Sequence, residues 1–259
     1  MRIVIKIGTS TLTHRSGLLN IRRVEHLCKV FSDLKNAGHE LVIVSSGAIG
    51  VGVGKLSLKE KPADIPTKQA AAAVGQCELM YIYDKLFAEY NHTVAQILIT
   101  GEDIESPKRA ENFHNTIFRL LELGALPIIN ENDTIAVDEI VIGDNDTLGA
   151  IVASTIGADL LILLSDIDGL FTADPQRDPA AKLIPVVEAI TPEMEAAAQG
   201  AGSALGTGGM QTKLAAARIA TGAGVEMVIA NGTRPDALYD IVEGKPCGTR
   251  FLSKGEKKA

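Results

Sequence analysis

Ile3-Val4-Ile5-Lys6-Ile7-Gly8-Thr9-Ser10, near the start of the chain, is the stretch that decides the fold. Four β-branched residues around a single lysine, closed by Gly-Thr-Ser, read as a short strand running into a turn. A helical pattern follows over residues 21–37, and a second apolar run, Glu40-Leu41-Val42-Ile43-Val44-Ser45, comes directly after it. That is the rhythm of a β-α-β unit. The alternation continues with a helix over 67–90, a strand over 93–99, a helix over 108–123, a strand over 125–130, a helix over 146–156 and a strand over 160–164. A helix beginning after Lys213 and a strand over 225–230 complete it. Several runs are apolar on both faces, as strands of a parallel sheet covered by helices must be. The pattern predicts a three-layer α/β/α sandwich. Residues 1–252 are expected to form one domain, followed by a polar tail over 253–259.

The 259 residues, 46% of them hydrophobic, are enough to bury a sizeable core. A net charge of -7 argues against nucleic acid as a partner. Cys28, Cys77 and Cys247 are odd in number and far apart, which suits neither a disulfide framework nor a zinc site. The N-terminal apolar run is too short for a signal peptide, and no stretch reaches the roughly 20 apolar residues of a membrane span. A cytoplasmic protein with no membrane association is the expectation.

Polar clusters fall just after predicted strands, where open α/β sheets collect their ligands. Lys6-Ile7-Gly8-Thr9-Ser10 follows the first strand, Ser45-Ser46-Gly47-Ala48 the second, Asn130-Glu131-Asn132-Asp133-Thr134 a third, and Ser165-Asp166 a fourth. The segment Thr207-Gly208-Gly209-Met210-Gln211-Thr212-Lys213 precedes a helix and offers backbone N–H groups, a helix start and a cation, which together suit a phosphate. It is not a Walker loop, and a glycine-rich bend also serves simple capping. Lys6 reads either as a solvated edge lysine or, followed by glycine and two hydroxyl residues, as a phosphate ligand. Ser46 lacks the G-x-S-x-G context of a nucleophile elbow, and His14, His26, His39, His92 and His114 supply no convincing base, most of them reading as surface residues. A serine hydroxyl at a strand end suits a substrate carboxylate better.

Residues 130–134 and 143–147 together place seven carboxylate or amide side chains within 17 residues. The calcium EF-hand spacing is not met, and Asx turns are an alternative for either segment alone. Paired near a phosphate site, they suit a small zwitterion: acidic groups for an ammonium, amides and hydroxyls for a carboxylate. Asp146 also reads as a possible cap of the helix that follows it.

These residues resemble the amino acid kinase family. The matching segments are 4–10, 44–49, Lys68-Gln69-Ala70-Ala71-Ala72-Ala73-Val74-Gly75-Gln76, 130–134, Gly143-Asp144-Asn145-Asp146, Gly169-Leu170-Phe171-Thr172-Ala173-Asp174-Pro175 and 206–213, in order across nearly the whole chain. The resemblance is closest to members that phosphorylate L-glutamate. It implies an eight-stranded, mostly parallel sheet and transfer of the γ-phosphoryl group of ATP, with Mg2+, to the side-chain carboxylate of L-glutamate, the first step of proline biosynthesis. It further implies feedback by proline and a homo-oligomer, dimer or tetramer. Many bacterial members carry a C-terminal PUA domain, which is not expected in residues 1–259.

On that basis Lys6 and Lys213 are expected at the migrating phosphoryl group, with Asp146 holding both. Gly8 and the Gly208 and Gly209 amides are expected as auxiliary donors, while Ser165, Asp166 and Thr207 through Lys213 (Thr207, Gly208, Gly209, Met210, Gln211, Thr212, Lys213) form the nucleotide pocket. Ser46, Asn130, Asp133 and Asn145 are expected to bind glutamate, with Asp133 facing its ammonium. No direct metal ligand is assigned, Asp144 being the candidate. A kinase acting on another carboxylate or on carbamate, and a non-catalytic nucleotide or amino-acid sensor, are the rival readings.

Overall fold

The computed structural model describes residues 1–14, 16–135, 144–175, 177–198 and 209–253. In chain order the elements are β1 (Arg2–Ile7), α1 (Thr9–Leu12), α2 (Ile21–Asn36), β2 (Glu40–Ser45), α3 (Ala48–Lys55), α4 (Ile65–Ala88), β3 (Val94–Ile99), α5 (Gly101–Glu105) and α6 (Pro107–Glu122). They continue with β4 (Leu126–Glu131), α7 (Asn145–Thr155), β5 (Leu160–Ser165), β6 (Val186–Val187), α8 (Pro192–Ala198), α9 (Met210–Gly222), β7 (Glu226–Asn231), α10 (Ala237–Val242) and β8 (Thr249–Phe251). The eight strands among the described residues lie in one sheet of order β3-β4-β2-β1-β5-β7-β8-β6, and the β7–β8 pair is antiparallel while the others are parallel.

Alternation along the central strands builds two cores. Ile3, Ile5 and Ile7 of β1 join Leu27 and Phe31 of α2 and Leu79, Tyr83 and Phe87 of α4 on one face. Val4 joins Val42, Leu161 and Leu163 with Leu148 and Val152 of α7 and Leu214 and Ala217 of α9 on the other. Each buried Ile, Leu or Val contributes roughly 1.5–3 kcal/mol, so this double core can carry a few buried charges. Lys6 alternates with Ile5 and Ile7 and therefore faces the α7 side.

The chain leaves β1 through α2 to β2 on one side, whereas β5, entered from α7, pairs with the other side of β1. α2 and α7 pack on opposite faces. The end of β1 is thus a topological switch point, the position at which such sheets open a crevice. Among the described residues no helix is long and apolar enough to cross a membrane.

Sequence patterns miss the short pieces, α1, α3, α5, α8, α10, β6 and β8, and place the last long helix too late. α9 begins at Met210 and has Gly209 as its N-cap, so Lys213 lies within the helix rather than before it. Met, Gln and Lys are good helix formers once the glycines end, which explains the earlier start.

Candidate active site

Three side chains contributed by three elements meet beyond β1. Lys6 Nζ lies 2.5 Å from Asp146 Oδ1, and Lys213 Nζ lies 3.0 Å from Asp146 Oδ2. Asp146 is 1% exposed, Lys213 4% and Lys6 8%. Burial would by itself push the Asp146 carboxyl up, but the two ammonium groups outweigh it and hold the carboxyl below the usual aspartate range. Thr212 Oγ1 lies 3.1 Å from the same Oδ2 and donates to the Gly209 carbonyl at 2.8 Å. Two cations around one anion leave a net positive charge at a buried point. Such a point favours an incoming anion.

Local sequence explains the placement. Asp144, not Asp146, caps α7: its Oδ1 accepts from the Asp146 and Thr147 N–H groups at 2.7 and 2.9 Å, and its Oδ2 accepts from the Thr147 hydroxyl at 3.2 Å. Asp146 is thereby left in the first turn to face the lysines. Gly149, further along α7, packs directly over the Lys6 stem, where a Cβ would come into contact with Lys6 Cβ at 3.4 Å. Gly8 is corrected as a donor, because its N–H is given to the Leu164 carbonyl at 3.0 Å. What its missing side chain allows is the close approach to β5: a Cβ would stand 3.2 Å from the Leu164 carbonyl oxygen.

Beside this triad the ends of β2 and β4 form an amide cluster. Asn145 Nδ2 reaches Ser46 Oγ at 2.8 Å, Asn130 Oδ1 at 2.9 Å and the Ser45 carbonyl at 3.2 Å. Asn130 Nδ2 donates to Gln76 Oε1 of α4 at 2.9 Å. α4 can reach this far because it touches α3 without a gap. A Cβ on Gly75 would fall 1.8 Å from the Ala48 carbonyl oxygen, and one on Gly52 1.8 Å from that of Ala71. Tyr83, fully buried on the same face of α4, shares a 3.0 Å hydrogen bond with Ser45 Oγ.

At the end of β4 and just past it, Glu131 and Asp133 line a small cavity with Gln76, Ala48, Ala72, Leu98, Asn132 and Thr134. Burial pushes Asp133 up to about 6. Burial, with the charges of Asp133 and Asp144, pushes Glu131 up to about 7. Asp144 is raised too, burial outweighing its capping hydrogen bonds. This rim of carboxylates is an environment that a cation would relieve.

Lys6, Asp146 and Lys213 are brought together, as are Ser46, Asn130 and Asn145, and Asp133 shares its cavity with Gln76, the partner of Asn130. Ser165 and Asp166 sit at the end of β5, next to the Gly8 turn. Ser165 Oγ donates to Asp166 Oδ1 at 3.1 Å, and its carbonyl accepts from Gly232 N–H at 2.8 Å. Gly209, Met210, Gln211 and Thr212 form the cap and first turn of α9, whose N-cap has no side-chain hydrogen bond. Thr207 and Gly208, with Gly143 and residues 254–259, lie outside the described residues. Only His14 of the five histidines is exposed, the others being half-buried. His26 is paired with Asp236, His114 stacks on Phe118, and His39 and His92 precede β2 and β3 at the opposite end of the sheet. Gln76, Tyr83 and Glu131 are additions. Ala72, Gln76, Leu79 and Tyr83 share one helical face, so an amide interrupting a buried apolar stripe was a usable signal.

Comparison with known proteins bears on the fold and the family. Residues 1–231 match the model of the amino acid kinase family. A glutamate 5-kinase of Clostridium perfringens is 54% identical over 98% of this chain and 96% of its own length, and one of Clostridium acetobutylicum is 56% identical over the same shares. That of Moorella thermoacetica is 52% identical over 98% of this chain and 67% of its own length. In fold, carbamate kinase from Giardia lamblia bound to AMP-PNP matches with a TM-score of 0.68 at 18% identity, each chain being covered to 98%. Isopentenyl phosphate kinase of T. acidophilum gives 0.65 at 16%, over 97% of this chain and 100% of that one. With the eight-stranded sheet, the family match over most of the chain and relatives above half identity in accord, this chain belongs to the amino acid kinase family.

Proposed function

We propose that the protein transfers the γ-phosphoryl group of ATP to the side-chain carboxylate of L-glutamate, giving L-glutamyl 5-phosphate, the first step of proline biosynthesis. The observation that carries this reading is the buried Lys6–Asp146–Lys213 triad standing beside the Ser46–Asn130–Asn145 cluster, in a chain more than half identical to proteins named glutamate 5-kinase.

Electrostatics explains the residue choice. A carboxylate must approach a polyphosphate, and each unit-charge pair at ~4 Å repels by about 4 kcal/mol at an effective dielectric near 20. Lys6 and Lys213 offset that repulsion and follow the negative charge onto the migrating group and its bridging oxygen. Asp146 fixes both ammonium groups in position. A glutamate carboxylate is already ionised at neutral pH, so positioning and charge stabilisation suffice without a general base. Glutamate would place a carboxylate on the Ser46 hydroxyl and the amide cluster and its ammonium against Asp133. The nucleotide would lie over Ser165, Asp166 and the start of α9, with Thr207 and Gly208 completing the loop.

Mg2+ would enter with ATP, neutralising phosphate oxygens as they approach. Among the described residues no group of three or more His, Cys, Asp or Glu side chains is arranged to hold a metal, and both Asp144 oxygens are engaged as the cap of α7. A metal carried mainly by phosphates and water fits those surroundings. Residues 1–252 would act as one catalytic domain of a cytoplasmic homo-oligomer, with proline competing at the glutamate site. The test is ADP release with ATP, Mg2+ and, in turn, glutamate, N-acetylglutamate, aspartate or carbamate, with and without proline. Release that depends on glutamate alone and falls with proline is expected. Release with another acceptor, or none with glutamate, would overturn the reading.

A further inference from the structure

We infer that Gln76 is a positioning residue that sets the hydrogen-bond polarity of the acceptor-substrate site, so that Ser46 presents a donor to a substrate carboxylate. This rests on the kinase reading above. Gln76 belongs to α4, outside the strand-end loops, and is 8% exposed. Its place is fixed by the closest helix contact around it, since neighbouring Gly75 leaves no space beside the Ala48 carbonyl.

The argument follows donors and acceptors one bond at a time. The Glu131 backbone N–H, which can only donate, gives its hydrogen to Asn130 Oδ1 at 2.9 Å, and this fixes which end of the Asn130 amide is oxygen. The other end, Nδ2, then needs an acceptor, and Gln76 Oε1 supplies it at 2.9 Å. Asn130 Oδ1 also accepts from Asn145 Nδ2 at 2.9 Å, and the same Nδ2 donates to Ser46 Oγ at 2.8 Å. Ser46 Oγ is therefore used as an acceptor and keeps its own hydrogen to give. A carbonyl buried on α4 thus makes the hydroxyl at the end of β2 a donor, and a donor favours a carboxylate over an ammonium there. Removing the Gln76 oxygen leaves Asn130 Nδ2 buried and unpaired, which favours rotation of that amide and loss of the direction it imposes on Asn145.

Two variants test this: Gln76→Met, close in shape but without the acceptor, and Gln76→Glu, which keeps an oxygen able to accept in either protonation state. For Gln76→Met the glutamate KM should rise about tenfold or more, while the ATP KM and kcat stay within about threefold, the pattern of lost substrate binding rather than lost chemistry. Gln76→Glu should bring the glutamate KM back to within about threefold of the wild type. An active wild type with an unchanged glutamate KM in Gln76→Met would overturn the inference alone. Equal rises in both KM values with a lowered Tm would also overturn it, showing Gln76 to be mere packing. A wild type with no glutamate-dependent ADP release would remove the kinase reading and this inference with it.

Discussion

Asp146 and Asp133 both stand near the carboxyl end of the sheet, and their surroundings act on them in opposite directions. Asp146 is the more deeply buried, yet two ammonium groups at 2.5 and 3.0 Å hold its carboxyl down. Asp133 and its neighbour Glu131 are half-buried, and burial pushes them up to about 6 and about 7. Depth alone does not decide the state of a carboxylate; what faces it does. The triad balances its central carboxylate with two cations and keeps it charged, whereas burial dominates on the rim; in the proposed function the first would receive phosphate and the second an ammonium.

The strongest way to break this contrast is to remove the anion between the lysines. Asp146→Asn should destabilise the protein by about 3–5 kcal/mol, because two cations are left buried without their counter-charge. Urea unfolding measures it, and a loss below about 1 kcal/mol would mean that the lysines do not depend on Asp146. Removing either cation should act on chemistry instead: Lys6→Ala and Lys213→Ala should each lower kcat by roughly 100-fold or more with the fold retained, as loss of a transition-state donor does. Wild-type turnover in both would refute the assignment.

On the rim the effect should be confined to glutamate. Asp133→Asn should raise the glutamate KM about tenfold or more and leave the ATP KM alone, as truncating one partner of a buried charge pair does. An unchanged glutamate KM would move the ammonium site elsewhere.

The pH dependence sharpens the same contrast. Raised carboxyls bind protons more tightly folded than unfolded, so the ligand-free protein should lose some stability as pH climbs from about 4 to about 7. With Asp133 assigned to the glutamate ammonium in the proposed function, binding would need it ionised, so the glutamate KM should rise as pH falls below about 6, approaching tenfold per pH unit. That dependence should disappear in Asp133→Asn, and its persistence there would show that another group controls it. The smallest effect is expected behind β2, where Tyr83→Phe removes one buried hydrogen bond to Ser45 and should cost about 1 kcal/mol of stability.

Much of this was legible in the residues. Two-faced apolar strands such as Leu160–Ser165 announce a covered parallel sheet, and lysines followed or preceded by glycine and hydroxyl residues mark the ends of β1 and the start of α9. Pattern reading could not assign the cap of α7, because Asp144 and Asp146 are both acidic and lie two residues apart; only the direction of the first helical N–H groups separates them. The Gly8 amide looked available because sequence does not show that β5 presents the Leu164 carbonyl to it. Gln76 stood out as an amide on an apolar helical face, but its role did not: its partner Asn130 is distant in the chain, and the glycine contacts that bring α4 close enough exist only once α3 has packed.

The most direct measurement is a crystal structure of the protein with glutamate and a non-hydrolysable ATP analogue. The account predicts Lys6 Nζ and Lys213 Nζ both within about 3.2 Å of oxygens on or bridging to the γ-phosphoryl group, charge-assisted hydrogen-bond range, with the glutamate side chain in line. A γ-phosphate lodged away from the Asp146 triad, or the two ammonium groups directed into separate cavities, would contradict it.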